Sequence, residues 1–274
     1  MTDGTVVART LEGAAAATLI ALAARRAGSL RASGTVAAAI VGTVAVAAGW
    51  AWGALLIVYF VLASALSRLG GDAKAARTAA IVAKGGARDA TQVLANGGAF
   101  AVAALATLLG GPSPLWAGLG IGALAASSAD TWGTEIGTLV GGPPRTLVGW
   151  RRVPAGTSGG VTAWGSIASL AGALFVGGMA RLLGWSIPIA AAAVAGGVAG
   201  ALADSLLGAT VQQRRWCERC NEGTEHVEHG CGARTVHRGG LRWLENDRVN
   251  LFASLVGAIV GGALAWNYAH PPAA

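Results

Sequence analysis

Four stretches of this chain carry ionisable or amide side chains at helical spacing inside otherwise apolar sequence. SSADTWGTEIGT holds Ser127, Ser128, Asp130, Thr131, Thr134, Glu135 and Thr138, which on an α-helix fall within an arc of about 160°. ALADSLLGATVQ places Asp204, Ser205, Gly208 and Gln212 within about 100°. LENDRVNLFAS sets Asn246, Asp247, Asn250 and Ser254 on one stripe, and GGARDATQVLANG repeats Arg88, Gln92 and Asn96 at four-residue spacing. Asp130, Glu135 and Asp204, at helix C-terminal ends, suit a cation such as Mg²⁺; Asp130, Asp204 and Asp247 are the candidate ligands, with Glu135 a direct or neighbouring participant. Arg88, Thr131, Ser205, Gln92, Asn96, Asn246 and Asn250 are suited to phosphate oxygens.

Two loops add to this set. RRVPAGTSGGV offers Arg151 and Arg152 as charge and Thr157 and Ser158 as hydroxyl donors; Gly156, Gly159 and Gly160 leave backbone N–H groups open to an anion. An interhelical turn is the bland alternative. WCERCNEGTEHVEHGCG has the CxxC spacing of a zinc knuckle in Cys217 and Cys220, completed by His229 and Cys231 with His226 as a substitute for His229. Four protein ligands leave no open position, so the Zn²⁺ expected there is structural; metal-free thiols are the alternative.

What must position these groups is a membrane. Only 12% of the 274 residues are charged and 54% are hydrophobic, against about 25% charged in soluble domains, which excludes a soluble globule. The 43 glycines follow no collagen period and read as close-packing surfaces between helices, runs such as GLGIG included. Eight apolar stretches, at residues 11–24, 35–48, 52–66, 90–109, 115–139, 161–183, 187–210 and 249–268, predict an all-α polytopic bundle of about eight transmembrane helices. It forms a single membrane domain, 1–274, with a polar loop at 211–248. No signal peptide is evident in MTDGTVVARTLEG.

All basic residues except Arg9 and Arg181 fall in the loops after the first, third, fifth and seventh stretches. Those loops are therefore expected in the cytosol, with both termini outside. The net charge of +7 then serves orientation and anionic lipid or phosphate, not nucleic acid. Trp50, Trp52, Trp116, Trp185 and Trp266 would line the outer rim of the bilayer and Trp132, Trp150, Trp164, Trp216 and Trp243 the inner one. This topology gives all four polar clusters one depth, beside the cytosol. Intramembrane acids also serve as ion pairs or proton relays, and amides as interhelical hydrogen bonds.

The order SSADTWGTEIG, PAGTSGGV, ADSLLGATVQ, the cysteine loop and WLENDRVN resembles a family of integral membrane proteins. That family includes the plant phytyl-phosphate kinase of tocopherol synthesis and a vertebrate transmembrane relative. The resemblance implies transfer of phosphate from CTP or a related nucleoside triphosphate to a prenyl monophosphate at the cytoplasmic membrane. A more distant likeness joins the chain to CTP-dependent phosphatidate cytidylyltransferases and polyprenol kinases, through Asp130 and Thr131, Thr157 to Gly160, and Asp247 with Arg248. Thr and Ser stand where that signature has Glu, and Asn250 where it has a second Asp. Synthesis of a CDP-lipid is the rival chemistry, and ion- or proton-coupled lipid transport the non-enzymatic reading.

Overall fold

A computed structural model describes residues 3–271, so the 1–274 unit extends past it at both ends. Among the described residues there are nine helices: α1 (Asp3–Arg26), α2 (Ala32–Ala48), α3 (Trp50–Arg68), α4 (Gly71–Thr78), α5 (Ala90–Gly110), α6 (Pro114–Val140), α7 (Ala163–Leu182), α8 (Ile187–Thr210) and α9 (Asn246–Ala269). All but the short α4 coincide with the eight apolar stretches. The protein is a polytopic helical membrane bundle. Six helices, α1, α3, α5, α7, α8 and α9, have the length and apolarity to cross a bilayer. At 17 residues α2 is shorter, and α6 is made less apolar by its own SSADTWGTE segment.

That polar segment is carried at the centre of the molecule. From Ala117 to Ala129 nearly every residue of α6 is buried, under α5, α7, α8 and α9, with α3 alongside. Small residues allow this crowding. A Cβ on Gly122 or Gly196 would run into the Gly257 carbonyl of α9, and one on Gly200 into Ala126 and the Ala253 carbonyl. Larger residues, Leu55, Phe100, Ile121, Leu124 and Val176, fill the core beside this seam. Trp52, expected at the outer rim, is instead buried. It packs against Phe100 at 5.1 Å and edge-on against Trp185 at 5.7 Å, because α3 turns it inward at the α2–α3 junction. Exposed Leu19, Val102, Leu109, Ile167 and Ile259 cover the perimeter, as a lipid-facing surface requires.

The basic loops gather at one end of the bundle. Arg68 donates to the Ala27 carbonyl and to Ser29 Oγ at 2.6 Å, and Leu30 bridges to Arg88. Two small sheets form there: β1 (Arg145–Thr146) with β2 (Gly160–Val161), and β3 (Arg214–Cys217), β4 (Glu222–Thr224) and β5 (Val236–Gly239) in the order β4-β3-β5, all antiparallel. The 211–248 loop is therefore a three-stranded sheet carrying the knuckle.

Candidate active site

At this end opens a cavity of about 1320 Å³. Its wall takes Asp130, Thr131 and Glu135 from α6, Asp204 and Ser205 from α8, Asn246, Asp247 and Asn250 from α9, Gln92 and Asn96 from α5, Arg88 from the segment before α5, and the loop from Gly156 to Gly160. Four clusters spread over more than a hundred residues of sequence, from Arg88 to Asn250, thus face one space.

The glycine seam explains the convergence. α6 and α8 run parallel, with Gly196 against Gly122 and Gly200 against Ala126. One further turn of each helix carries Asp204 to the level of Asp130. α9 runs antiparallel, with Gly261 on Gly118 and Gly257 on Gly122. In the same register Ser254 meets Ser127 at 3.0 Å, and Asn250 comes to the level of Asp130. Ser127 and Ser254 also bond the Asn96 and Ala95 carbonyls of α5 at 2.8 and 2.9 Å. These two hydroxyls fasten three helices above the cavity floor.

The charges depart from the sequence expectation at several points. Glu135, read as a participant in metal binding, has both oxygens engaged: Oε1 accepts from Ser67 Oγ at 2.7 Å and Oε2 from buried Lys74. Lys74 Nζ also donates to the Leu66 and Ser67 carbonyls at 2.8 and 2.9 Å. Glu135 is thus the counter-ion that docks α4 against α6. Asp247 Oδ2 accepts from Lys84 at 2.5 Å, and Lys84 also reaches Asp89 at 3.3 Å. The bond to Asp247 holds Lys84 above its ordinary range. Gln92 completes a capping box with Asp89, so its side chain is spent on the α5 N-terminus; its backbone N–H, together with Lys84, keeps Asp89 below the usual carboxylate range.

Two carboxylate oxygens remain buried without a partner among the described residues, Asp204 Oδ2 and Asp247 Oδ1. Asp130, Asp204 and Asp247 share the cavity but do not close on one point as a trio. Among the described residues, the cysteine cluster is the sole group of three or more His, Cys, Asp or Glu side chains whose ligand atoms lie within 4.8 Å of one another. Mg²⁺ is ordinarily held by one or two carboxylates together with substrate phosphates. The bare oxygens on Asp204 and Asp247, with Asp130 beside Asp204, fit an ion that arrives with a phosphate and not a preassembled three-aspartate cage.

Arg88 faces the cavity as expected, its guanidinium held by Ser64 Oγ and Ser67 Oγ at 3.2 Å each. Arg151 and Arg152 do not face it. The Thr146 N–H bonds the Arg151 carbonyl and Arg145 bridges to Arg152, a tight turn that leaves both arginines exposed. The cations missed from sequence are Lys74 and Lys84, the only lysines of the chain. Their singularity among so many arginines is the signal that marks them.

In the glycine-rich loop, Gly160 and Thr157 spend their N–H groups on the turn itself, at 3.0 and 3.2 Å. Those of Gly156, Ser158 and Gly159 have no partner among the described residues. Gly159, at φ +72°, lies directly on the α8 backbone at Gly208 and Ala209, which brings the loop within about a turn of Asp204. Ser158 Oγ donates to Glu225 Oε1 at 2.7 Å, and Gln212 Nε2 donates to both, at 2.8 and 3.1 Å. Glu225, not anticipated, is pushed upward in pKa mainly by burial, against the Ser158 bond that lowers it.

In the knuckle, Cys217, Cys220, His229 and Cys231 come together. His229 beside Cys231 draws that thiol down to about 6. His226 points elsewhere, to the Ala79 carbonyl at 3.1 Å.

Residues 15–258 match the family described as "Integral membrane protein DUF92". The chain is 33% identical over 264 residues to Protein PGR of Arabidopsis thaliana, covering 87% of this chain and 90% of that one. An uncharacterised membrane protein of Methanocaldococcus jannaschii is 30% identical over 245 residues, 89% of each. The chloroplastic Protein VTE6 of Arabidopsis thaliana is 28% identical over 237 residues, 84% of this chain and 64% of that one. No solved structure matches the chain.

Proposed function

We propose that this chain, which belongs to the DUF92 family of integral membrane proteins, is a phosphotransferase that converts an isoprenoid monophosphate to the diphosphate at the expense of CTP. The observation that carries the reading is the single cavity in which bare carboxylate oxygens, a braced arginine and a glycine-rich loop face one another. The likeness of motif order to the plant phytyl-phosphate kinase supports the choice of acceptor and nucleotide. The excess of arginine in the loops around the cavity supports an opening on the cytosol.

In this reading a non-bridging oxygen of the lipid phosphate attacks the γ-phosphorus of CTP. The bond from that phosphorus to the β,γ-bridging oxygen breaks, and CDP leaves with the electron pair. The acceptor is already ionised at neutral pH, so the protein's task is placement and charge neutralisation. Arg88, braced by Ser64 and Ser67, meets charge on the transferring group. The unpartnered N–H groups of Gly156 and Ser158 are offered to nucleotide phosphate oxygens, and Lys84 exchanges Asp247 for phosphate. Mg²⁺ bound with the nucleotide would sit on Asp204 and Asp130, with Asp247 joining once released, and would supply charge neutralisation. The isoprenoid chain lies along Leu170 of α7 and Val198 and Leu202 of α8, where the cavity wall turns apolar and half-exposed.

The test is purified protein in detergent with CTP, Mg²⁺ and geranylgeranyl phosphate, read by mass spectrometry. Geranylgeranyl diphosphate with CDP supports the proposal. CDP-lipid with pyrophosphate places attack on the α-phosphorus and replaces it with the cytidylyltransferase reading. Absence of lipid-dependent CTP consumption in folded protein with any nucleotide or prenyl phosphate tried returns the chain to the transport reading.

A further inference from the structure

We infer that Cys217, Cys220, His229 and Cys231 hold one structural Zn²⁺ ion, and that this ion works as a clamp which fixes Glu225 against the wall of the cavity. The four ligand atoms lie within 4.8 Å of one another, with Cys217 and Cys231 sulfurs 3.6 Å apart and His229 Nδ1 3.4 Å from Cys231 Sγ. The backbone builds this arrangement: the β3–β4 hairpin pairs Cys217 with Glu222, and Asn221, at φ +57°, turns the chain so that Cys220 comes back beside Cys217. Three thiolates and one imidazole form a closed tetrahedral set for Zn²⁺. Strands of four, three and four residues have too little apolar surface for a core of their own, so the metal would supply much of their folding energy.

The new element is what the ion restrains. The chain between ligands Cys220 and His229 is the one that touches the cavity wall. Within it Thr224 Oγ1 donates to the Ala80 carbonyl at 2.8 Å and Glu225 N–H to the Ile81 carbonyl at 2.8 Å. The Glu225 carboxylate then takes Ser158 from the glycine-rich loop and Gln212 from the end of α8. A segment anchored to metal at both ends thereby holds two cavity walls, residues 79–83 and 156–160, at a fixed separation. The metal site stands independently of the phosphotransferase reading; only the importance of the clamped walls for catalysis rests on it.

The experiment uses the full-length protein in detergent, purified without chelator. Elemental analysis is expected to give one zinc per chain, lost in Cys220→Ser, whose side chain is exposed and whose replacement disturbs no packing, and retained in His229→Cys, which keeps four ligands. Hydrogen exchange after zinc removal with a high-affinity chelator is expected to rise by about tenfold or more at the bonded amides of the two walls, those of Ala79, Ile81 and Val82 and those of Thr157 and Gly160, while α6 and α9 stay protected. Zinc-free protein that is folded, or a Cys217–Cys231 disulfide in the native chain, overturns the metal site. Bound zinc whose removal leaves exchange at both segments unchanged overturns the clamp. Neither readout depends on turnover, so a failed kinase assay and a failed clamp are told apart.

Discussion

The Lys74–Glu135 pair separates a structural from a catalytic role for Glu135. Lys74 is buried and gives its three donors to Glu135 and to the Leu66 and Ser67 carbonyls. Lys74→Met preserves the length of the side chain and removes the charge, leaving Glu135 held by Ser67 alone. Breaking a buried pair from one side costs about 3–5 kcal/mol. The Glu135 side chain keeps 22% of its surface exposed, so water relieves part of the cost and the lower end, about 3 kcal/mol, applies. In thermal unfolding in detergent that loss corresponds to a drop on the order of 10 °C. Adding Glu135→Gln to Lys74→Met removes the stranded charge and is expected to restore more than half of the loss. If Lys74→Met unfolds at the wild-type temperature, or the double variant is no more stable than the single, the pair does not hold α4 in place. If Glu135→Gln abolishes turnover at unchanged stability, Glu135 is catalytic after all.

Asp204→Asn and Asp130→Asn are each expected to reduce lipid-dependent CTP consumption at least ~100-fold without lowering the unfolding temperature, since each removes a carboxylate that the fold leaves uncompensated; activity within a factor of three of wild type counts against their role. Gly159→Ala places a Cβ at φ +72° against the Ala209 backbone and is expected to cost about 1–3 kcal/mol, whereas Gly178→Ala, where nothing lies within 4 Å, is expected to stabilise by roughly 0.5–1 kcal/mol; thermal shifts of the same sign for both would refute the packing argument. Burial raises the pKa of Glu225 above its ordinary 4.5, so the native state binds the proton more tightly than the unfolded chain, and this group's contribution to stability is full below about 4.5 and declines as pH rises through its raised native value. Denaturant titrations of wild type and Glu225→Gln are expected to diverge in slope across that window, and parallel curves would refute it.

The spans were legible because each is a largely apolar run with arginines gathered beyond one end, and the polar faces because helical spacing alone places Asp130 and Thr134, or Asp204 and Gly208, on one side. Contacts formed by folding were not. α4 is eight residues in which Gly and Ala alternate with polar side chains, too short to stand out as a helix among the basic loops, and buried Lys74 meets Glu135 across a sequence separation of 61. Arg151 and Arg152 seemed to belong with the glycine-rich loop because they precede it in sequence, yet the tight turn after β1 directs them away. Ser158 was identified as a donor, but its partner Glu225 lies 67 residues on, just past the end of β4, a strand that no alternation in so short a loop would reveal. The clustering of Cys217, Cys220, His229 and Cys231 was legible for the opposite reason: the four residues are close in sequence, and the β3–β4 hairpin and the turn at His229 bring them together.

The distribution of polarity along the bundle argues for chemistry on one face over transport through it. A carrier that moves a lipid phosphate across the bilayer needs a path open in turn to either side, commonly around a site at the midplane. Here the carboxylates, Arg88 and the glycine-rich loop stand at the end where the basic loops gather. The route onward from Asp130 meets Ser127 bonded to Ser254, and then the layer where Gly122, Gly196 and Gly257 bring three backbones into contact. Opening that layer would separate α6, α8 and α9 along the seam that sets Asp204 and Asn250 level with Asp130, so transport would dismantle the site it had to serve. Bulky substitution in the seam distinguishes the two. Gly196→Val is expected to lower stability and turnover together by pushing α8 from α6, as a fixed scaffold requires, and an increase in lipid flux across proteoliposomes with stability retained would show that the seam is a gate.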